Sequence, residues 1–223
     1  MQDHNVGGHD AFSVMAFGWA DPYIPTNSCD ITINDFQSSR DMILLTPDWN
    51  NYNSPFDEYL LLELFSPTGL NYIDCTYSYG GYGRGPSVAG ISLWHVNATV
   101  IAASVSSMSL TTNANQNGLL QAFNNTSDAE TRSCYGTYID EDYQQFNLLQ
   151  LIRAGGAGNG YLSQNDLFRQ GASFSMNQSK FTSQFVNGST LDLNGNLGWS
   201  FSVTTITDNG NDTYSATIHL TRS

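Results

Sequence analysis

The strongest constraint in this chain is a pair of alternating runs separated by a turn. Trp199, Phe201 and Val203 alternate with Ser200, Ser202 and Thr204, and Tyr214, Ala216, Ile218 and Leu220 alternate with Ser215, Thr217, His219 and Thr221. A period of two puts all the apolar side chains of a run on one face of an extended strand. Between the runs, Asp208-Asn209-Gly210-Asn211-Asp212 is rich in residues that accept hairpin turns. The spacing predicts an antiparallel hairpin over 199–221 with one buried face.

The chain from Cys29 onward reads the same way. Ile31 and Ile33 alternate with Thr32 and Asn34, and Asp41-Met42-Ile43-Leu44-Leu45 is a short apolar run stopped by Pro47. Glu58 to Phe65 is a longer run ended by Pro67, and Gly90 to Val96 is another strand candidate. Each lies between turn formers. Phe146 to Ile152 is short and is followed by Gly155-Gly156, which favours strand over helix. Ser163 to Phe168 reads as a single helical turn with Ser163 as its cap. Residues 111–145 are polar and mark a break between two sub-sheets.

The first 25 residues differ. Asp10 is an N-cap candidate, Gly18 a C-terminal stop, and Pro22 and Pro25 prevent continuation. Phe12, Met15, Ala16 and Trp19 fall at i, i+3, i+4 and i+7, one helical face. The expected fold is therefore mainly β: a β-sandwich-like region over 26–223, preceded by a short helical segment within 1–25.

Charge narrows the partners. Only 12% of the 223 residues are charged, with 7 Lys+Arg against 20 Asp+Glu and a net charge of −13. Nucleic-acid binding needs a basic patch, so a nucleic acid is excluded as the expected partner. No apolar run approaches the ~18 residues of a membrane-spanning helix. Asn-, Ser- and Thr-rich surfaces suit strands, turns and extracellular settings. Met1 is followed at once by Gln2-Asp3-His4, so an export signal would lie upstream. The three cysteines, Cys29, Cys75 and Cys134, form no even framework. One pair with a free thiol and three buried thiols both remain open.

Chemistry-bearing motifs are sparse. The four histidines are His4, His9, His95 and His219, and none stands in H-E-x-x-H, the spacing that sets two imidazoles on one helix face to grip zinc. His4 and His9, beside Asp3 and Asp10, are the nearest to a metal pair; polar residues in a turn account for them more simply. G-x-S-x-G is missing. Glu58 and Glu63 are five apart, so a strand would place them on opposite faces, which argues against a joint acid–base role. Asp192 to Asn196 and Asp208 to Asp212 could hold Ca²⁺, but lack the EF-hand spacing and read as turns. The glycine-rich Tyr79 to Pro86 has no Walker lysine and reads as a loop, whose Tyr79 and Tyr82, with Tyr77, could contact a glycan or protein.

One series of landmarks does carry a family pattern. Met1 to Trp19, Phe56 to Glu63 with Pro67 to Asn71, Gly90 to Ala98, and Leu167 to Gly171 resemble, in order, segments of M6-like metallopeptidases, the relatives of bacterial immune inhibitor A. The resemblance implies a metzincin-type fold in which Met1 would be the methionine-turn residue beneath the zinc ligands. Gly8, Val14 and Asn97 depart from the pattern, which usually has Asp, Lys and Asp there. In such a family the zinc helix precedes the methionine turn. The resemblance thus implies a C-terminal portion of a secreted zinc endopeptidase acting on protein substrates. By itself this portion would be inactive and zinc-free, with Ca²⁺ allowed, and residues 1–25 would close the catalytic domain. The other reading is a secreted β-sandwich binding or adhesion module.

Overall fold

In the computed structural model, residues 9–49, 55, 57–77, 84–98, 101–104, 109–111, 119–121, 149–157, 163–192 and 194–223 are described, the three strands between 101 and 121 by backbone alone. The fold is mainly β, with two four-stranded antiparallel sheets and a few short helices. The first sheet has the order β1-β11-β10-β9, formed by Cys29–Asn34, Thr213–Arg222, Trp199–Gly210 and Ser173–Ser175. The second has the order β2-β3-β4-β8, formed by Met42–Leu45, Glu58–Phe65, Gly90–Asn97 and Leu149–Leu151. A third set of strands, β6-β5-β7, joins Ser109–Thr111, Ile101–Ser104 and Leu119–Gln121.

The predicted hairpin is present as β10 and β11. Its pairing runs from Trp199↔Arg222 to Gly210↔Thr213, with register shifts between Val203 and Thr205 and between Asp208 and Gly210. Asn211 and Asp212 occupy the turn at φ 53° and 61°. Two successive left-handed residues match the right-handed twist of the flanking strands, and Asn and Asp tolerate that region better than most side chains. The apolar face of the hairpin, Trp199, Phe201, Val203, Ala216, Ile218 and Leu220, meets Leu60, Leu62, Leu64, Ile91 and Leu93 of the second sheet in one core. Trp199 ties the sheets by donating its indole N–H to Thr46 O at 3.1 Å.

β3 is buried on both faces, which explains its nearly continuous apolar run. Leu60, Leu62 and Leu64 enter the core between the sheets, while Tyr59 and Leu61 enter a second core on the outer face. That outer core is covered by α1, Ala11–Ala16. Asp10 caps α1, accepting from Ser13 N at 2.8 Å, and Gly18 follows its end at φ 68°. The helix buries Ala11, Val14 and Met15, with Phe12 half-buried beside them, and not the face that runs to Trp19. The six-residue helix ends before its second turn closes, and the left-handed Gly18 carries Trp19 into solvent at 60% exposure.

Two further readings are settled locally. Phe146 to Ile152 contains β8, as expected. Ser163 to Phe168 is a hydrogen-bonded turn and not a helical one: the Asp166 carboxylate accepts from both Ser163 N and Ser163 Oγ, at 2.7 and 2.8 Å, and Phe168 then bridges Ile91. Cys29 and Cys75 are half-buried free thiols, and Cys134 lies outside the described residues.

Candidate functional site

The two central strands of the second sheet place a polar cluster at one end of the core. Glu58 opens β3 and pairs with Asn97, the last residue of β4. Side chains directly opposite in an antiparallel pair leave the sheet on the same side. His95, two residues before Asn97, shares that side, so Glu58, His95 and Asn97 form a polar triangle below Leu60 and Leu93. Exposure is 0% for Glu58 and 1% for each of the other two.

A tight turn closes over them. Leu191 bridges Gly195, whose φ of 73° lets the chain reverse. The turn presents two backbone donors to Glu58: Asp192 N to Oε1 at 2.5 Å and Asn194 N to Oε2 at 2.7 Å. His95 Nε2 lies 2.8 Å from Glu58 Oε1. On the far side of the ring, His95 Nδ1 has no hydrogen-bond partner. The Asn194 amide also donates to Asp57 Oδ1 at 2.9 Å and to Glu58 O at 3.1 Å. Phe185 packs its ring against His95 at 4.9 Å between centroids. Nearby, Gln184 accepts from Arg153 N at 2.7 Å and donates to Arg153 O at 3.0 Å, holding the segment that carries Phe185 to the end of β8.

Asp192, 8% exposed, accepts from Val186 N at 2.9 Å. Burial raises its carboxyl above the usual range; His95 opposes the shift and Glu58 adds to it. Burial likewise raises Asp57, against the hydrogen bonds from Asn194 and from Glu58 N. Donor atoms of Glu58, His95 and Asp192 all lie within 4.8 Å of one another, so these three residues could hold a metal ion. Their burial leaves no face for a substrate.

On the opposite side of the same strands lies a second buried carboxyl. Glu63 Oε1 accepts from Trp94 Nε1 at 2.9 Å, and Oε2 is without a partner. Burial pushes Glu63 up to about 8, and Asp10 at the start of α1 adds to the rise.

The structure thus separates Glu58 from Glu63, as the five-residue spacing requires, and joins Glu58 to His95 and Asp192, three residues the sequence presents in unrelated contexts. Glu58 and His95 lie in the segments that carry the family resemblance, and Asp192 in an Asx-rich turn; nothing in the sequence links the turn to the two strands. Met1 and His4 lie outside the described residues. His9 is exposed and stacks edge-on against Trp19 and Phe17, at 5.2 and 6.4 Å. The Asp192 turn directs its groups inward to Glu58 and Asp57, and the Asp208–Asp212 segment forms the hairpin turn, with Gly210 N donating to Asp208 Oδ1 at 2.9 Å. Tyr77 is 62% exposed, and Tyr79 and Tyr82 lie outside the described residues. Among the described residues no helix is long and apolar enough to cross a membrane. Comparison with family models, curated proteins and solved structures yields no match for this chain.

Proposed function

We propose that this chain is the β-rich C-terminal portion of a secreted, M6-like zinc endopeptidase, a buttress for a catalytic domain and not itself a catalyst. One observation supports this reading above others. The sequence landmarks that resemble the family lie far apart in the chain and converge on one sheet. Phe56 to Glu63 leads into and forms most of β3, and Gly90 to Ala98 contains β4, paired with it from Glu58↔Asn97 to Phe65↔Gly90. Leu167 to Gly171 contributes Phe168, which bridges Ile91, and the first landmark contributes α1 to the outer core with Tyr59 and Leu61. Segments that depend on one another for burial belong to one structural unit. In this reading α1 is the point where the catalytic domain ends and rests on the sandwich. Protein substrates would be cleaved at zinc held by a helix outside these residues, because H-E-x-x-H occurs nowhere in the sequence.

The test has two parts. Casein incubated with the purified chain, with and without added zinc, is expected to stay intact; cleavage abolished by a chelator overturns the reading. The gene read in frame upstream of Met1 is expected to encode H-E-x-x-H. Leu70, Tyr72, Ile73 and Tyr77, all exposed in or just after the short helical segment 69–76 that follows β3, favour a second reading as a binding module. A stop codon upstream together with glycan binding lost in Tyr77→Ala would establish that alternative.

A further inference from the structure

We propose that Glu58, His95 and Asp192, joined by the Asn97 amide, bind one divalent ion of the zinc class in a closed, structural site. The inference stands apart from the peptidase reading, since it uses only side chains of the sandwich.

The donors converge from β3, β4 and the 191–195 turn, and the atoms of the first three lie within 4.8 Å of one another. Zinc bonds to nitrogen and carboxylate oxygen are about 2.0–2.2 Å, which sets tetrahedral ligand atoms roughly 3.3 Å apart. The 2.8 Å between His95 Nε2 and Glu58 Oε1 lies below that spacing and the 4.8 Å limit above it. Adjustments of about 1 Å per side chain would satisfy the tetrahedron.

A second observation points to a ligand. Asn97 is 1% exposed, stands opposite Glu58 on the same face, and has neither Oδ1 nor Nδ2 hydrogen-bonded. His95 Nδ1 is also without a partner. Buried acceptors left unpaired cost about 1–3 kcal/mol each in a folded protein. The unpaired Asn97 Oδ1 beside an imidazole and two carboxylates is an acceptor that a cation satisfies and an anion does not. An imidazole in the donor set selects zinc-like ions over Ca²⁺ and Mg²⁺, which take oxygen ligands. Exposures of 0–8% leave no open coordination position for a reacting water, so the ion would fasten the 191–195 turn to the sheet and activate nothing.

The test uses the purified 223-residue chain, stripped with a chelator and titrated with zinc against a chromophoric competitor. One equivalent is expected to bind, with a rise in Tm on loading. Asp192→Asn keeps the oxygen that accepts from Val186 N, so it should fold as the parent does by circular dichroism, and it should weaken zinc binding at least about 100-fold. Cobalt in place of zinc should give tetrahedral visible bands that Asp192→Asn and His95→Gln abolish. His9→Gln and His219→Gln should leave affinity unchanged. Absence of binding by the parent, equal binding by Asp192→Asn, or loss of binding in His219→Gln overturns the proposal. Zinc binding overturns the expectation that this portion by itself is zinc-free, whereas the absence of peptidase activity is tested by casein cleavage alone, so the two results are read separately.

Discussion

Glu58 and Glu63 stand five residues apart on β3 and point to opposite faces of the same sheet, one bonded to His95 inside the sandwich and the other to Trp94 beneath α1. His95 and Trp94 are themselves neighbours on β4. Two adjacent strands therefore carry a buried carboxyl to each side, in environments with different consequences.

On the inner side, Glu58 accepts hydrogen bonds from the ring of His95 and from two backbone N–H groups of the 191–195 turn. Glu58→Ala leaves those donors buried and unpaired. The expected loss in unfolding free energy is about 3–5 kcal/mol, read from urea denaturation followed by tryptophan fluorescence. Asn194→Ala acts on the same network, so the double variant should lose less than the sum of the two single ones.

The outer carboxyl makes stability depend on pH in the opposite sense to an ordinary salt bridge. Burial pushes folded Glu63 up to about 8, against 4.5 for a glutamate free in water. Below pH 4.5 both folded and unfolded forms are protonated and nothing is lost. Between 4.5 and 8 the unfolded state releases its proton while the folded state keeps it, so stability falls as pH rises. The total is of order 5 kcal/mol and is complete above pH 8. Glu63→Gln, which retains an acceptor for Trp94, should flatten that slope and be the more stable protein at pH 8. Urea midpoints measured from pH 5 to 8.5 check both statements; a slope unchanged in the variant would assign it to other groups.

Gly90 begins β4 where Leu167 crosses it. A Cβ there would meet Leu167 Cβ at 2.7 Å, a contact that no rotation of the leucine relieves. Gly90→Ala is expected to cost about 1–3 kcal/mol through displacement of the Ile91–Phe168 bridge. Thermal unfolding measures it, and an unchanged Tm would show that the 167–168 segment yields freely.

At the hairpin tip, Asp212 sits at φ 61°. Glycine bears no steric cost there, whereas a β-branched side chain does. Asp212→Gly should raise stability by up to about 1 kcal/mol and Asp212→Val should lower it by about 1–2 kcal/mol. Denaturation midpoints of the pair, compared with the parent, test the assignment of this turn.

The sequence was most legible where period and turn chemistry agreed. Alternation over 199–203 and 214–220, with Asx and Gly between, fixed the hairpin and its buried face. The opposed directions of Glu58 and Glu63 followed from spacing alone. The face of α1 did not: helical periodicity was extended to Trp19, but the helix is one and a half turns long and the chain leaves it at Gly18. Ser163 does accept from Asn165 N through its Oγ, at 3.3 Å, but the Asp166 carboxylate accepts in return from Ser163 N and Oγ, and the segment closes as a turn without becoming a helix. The Glu58–Asp192 contact spans 134 positions and rests on how a turn lies across a sheet end, for which local pattern offers no signal. In the sequence Asn97 stands out only as a departure from the family pattern; its burial opposite Glu58 follows from the register of β3 and β4.

β11 is an inner strand, flanked by β1 on one side and β10 on the other. Cys29 therefore waits for Leu220 before it has a neighbour, and the oily inner surface of β2, β3 and β4 waits with it. During synthesis the chain as far as β11 must emerge before β1 can be paired. A nascent chain halted before residue 213 would leave that surface uncovered by β11, the kind of exposed apolar surface and unpaired strand edge that favours aggregation.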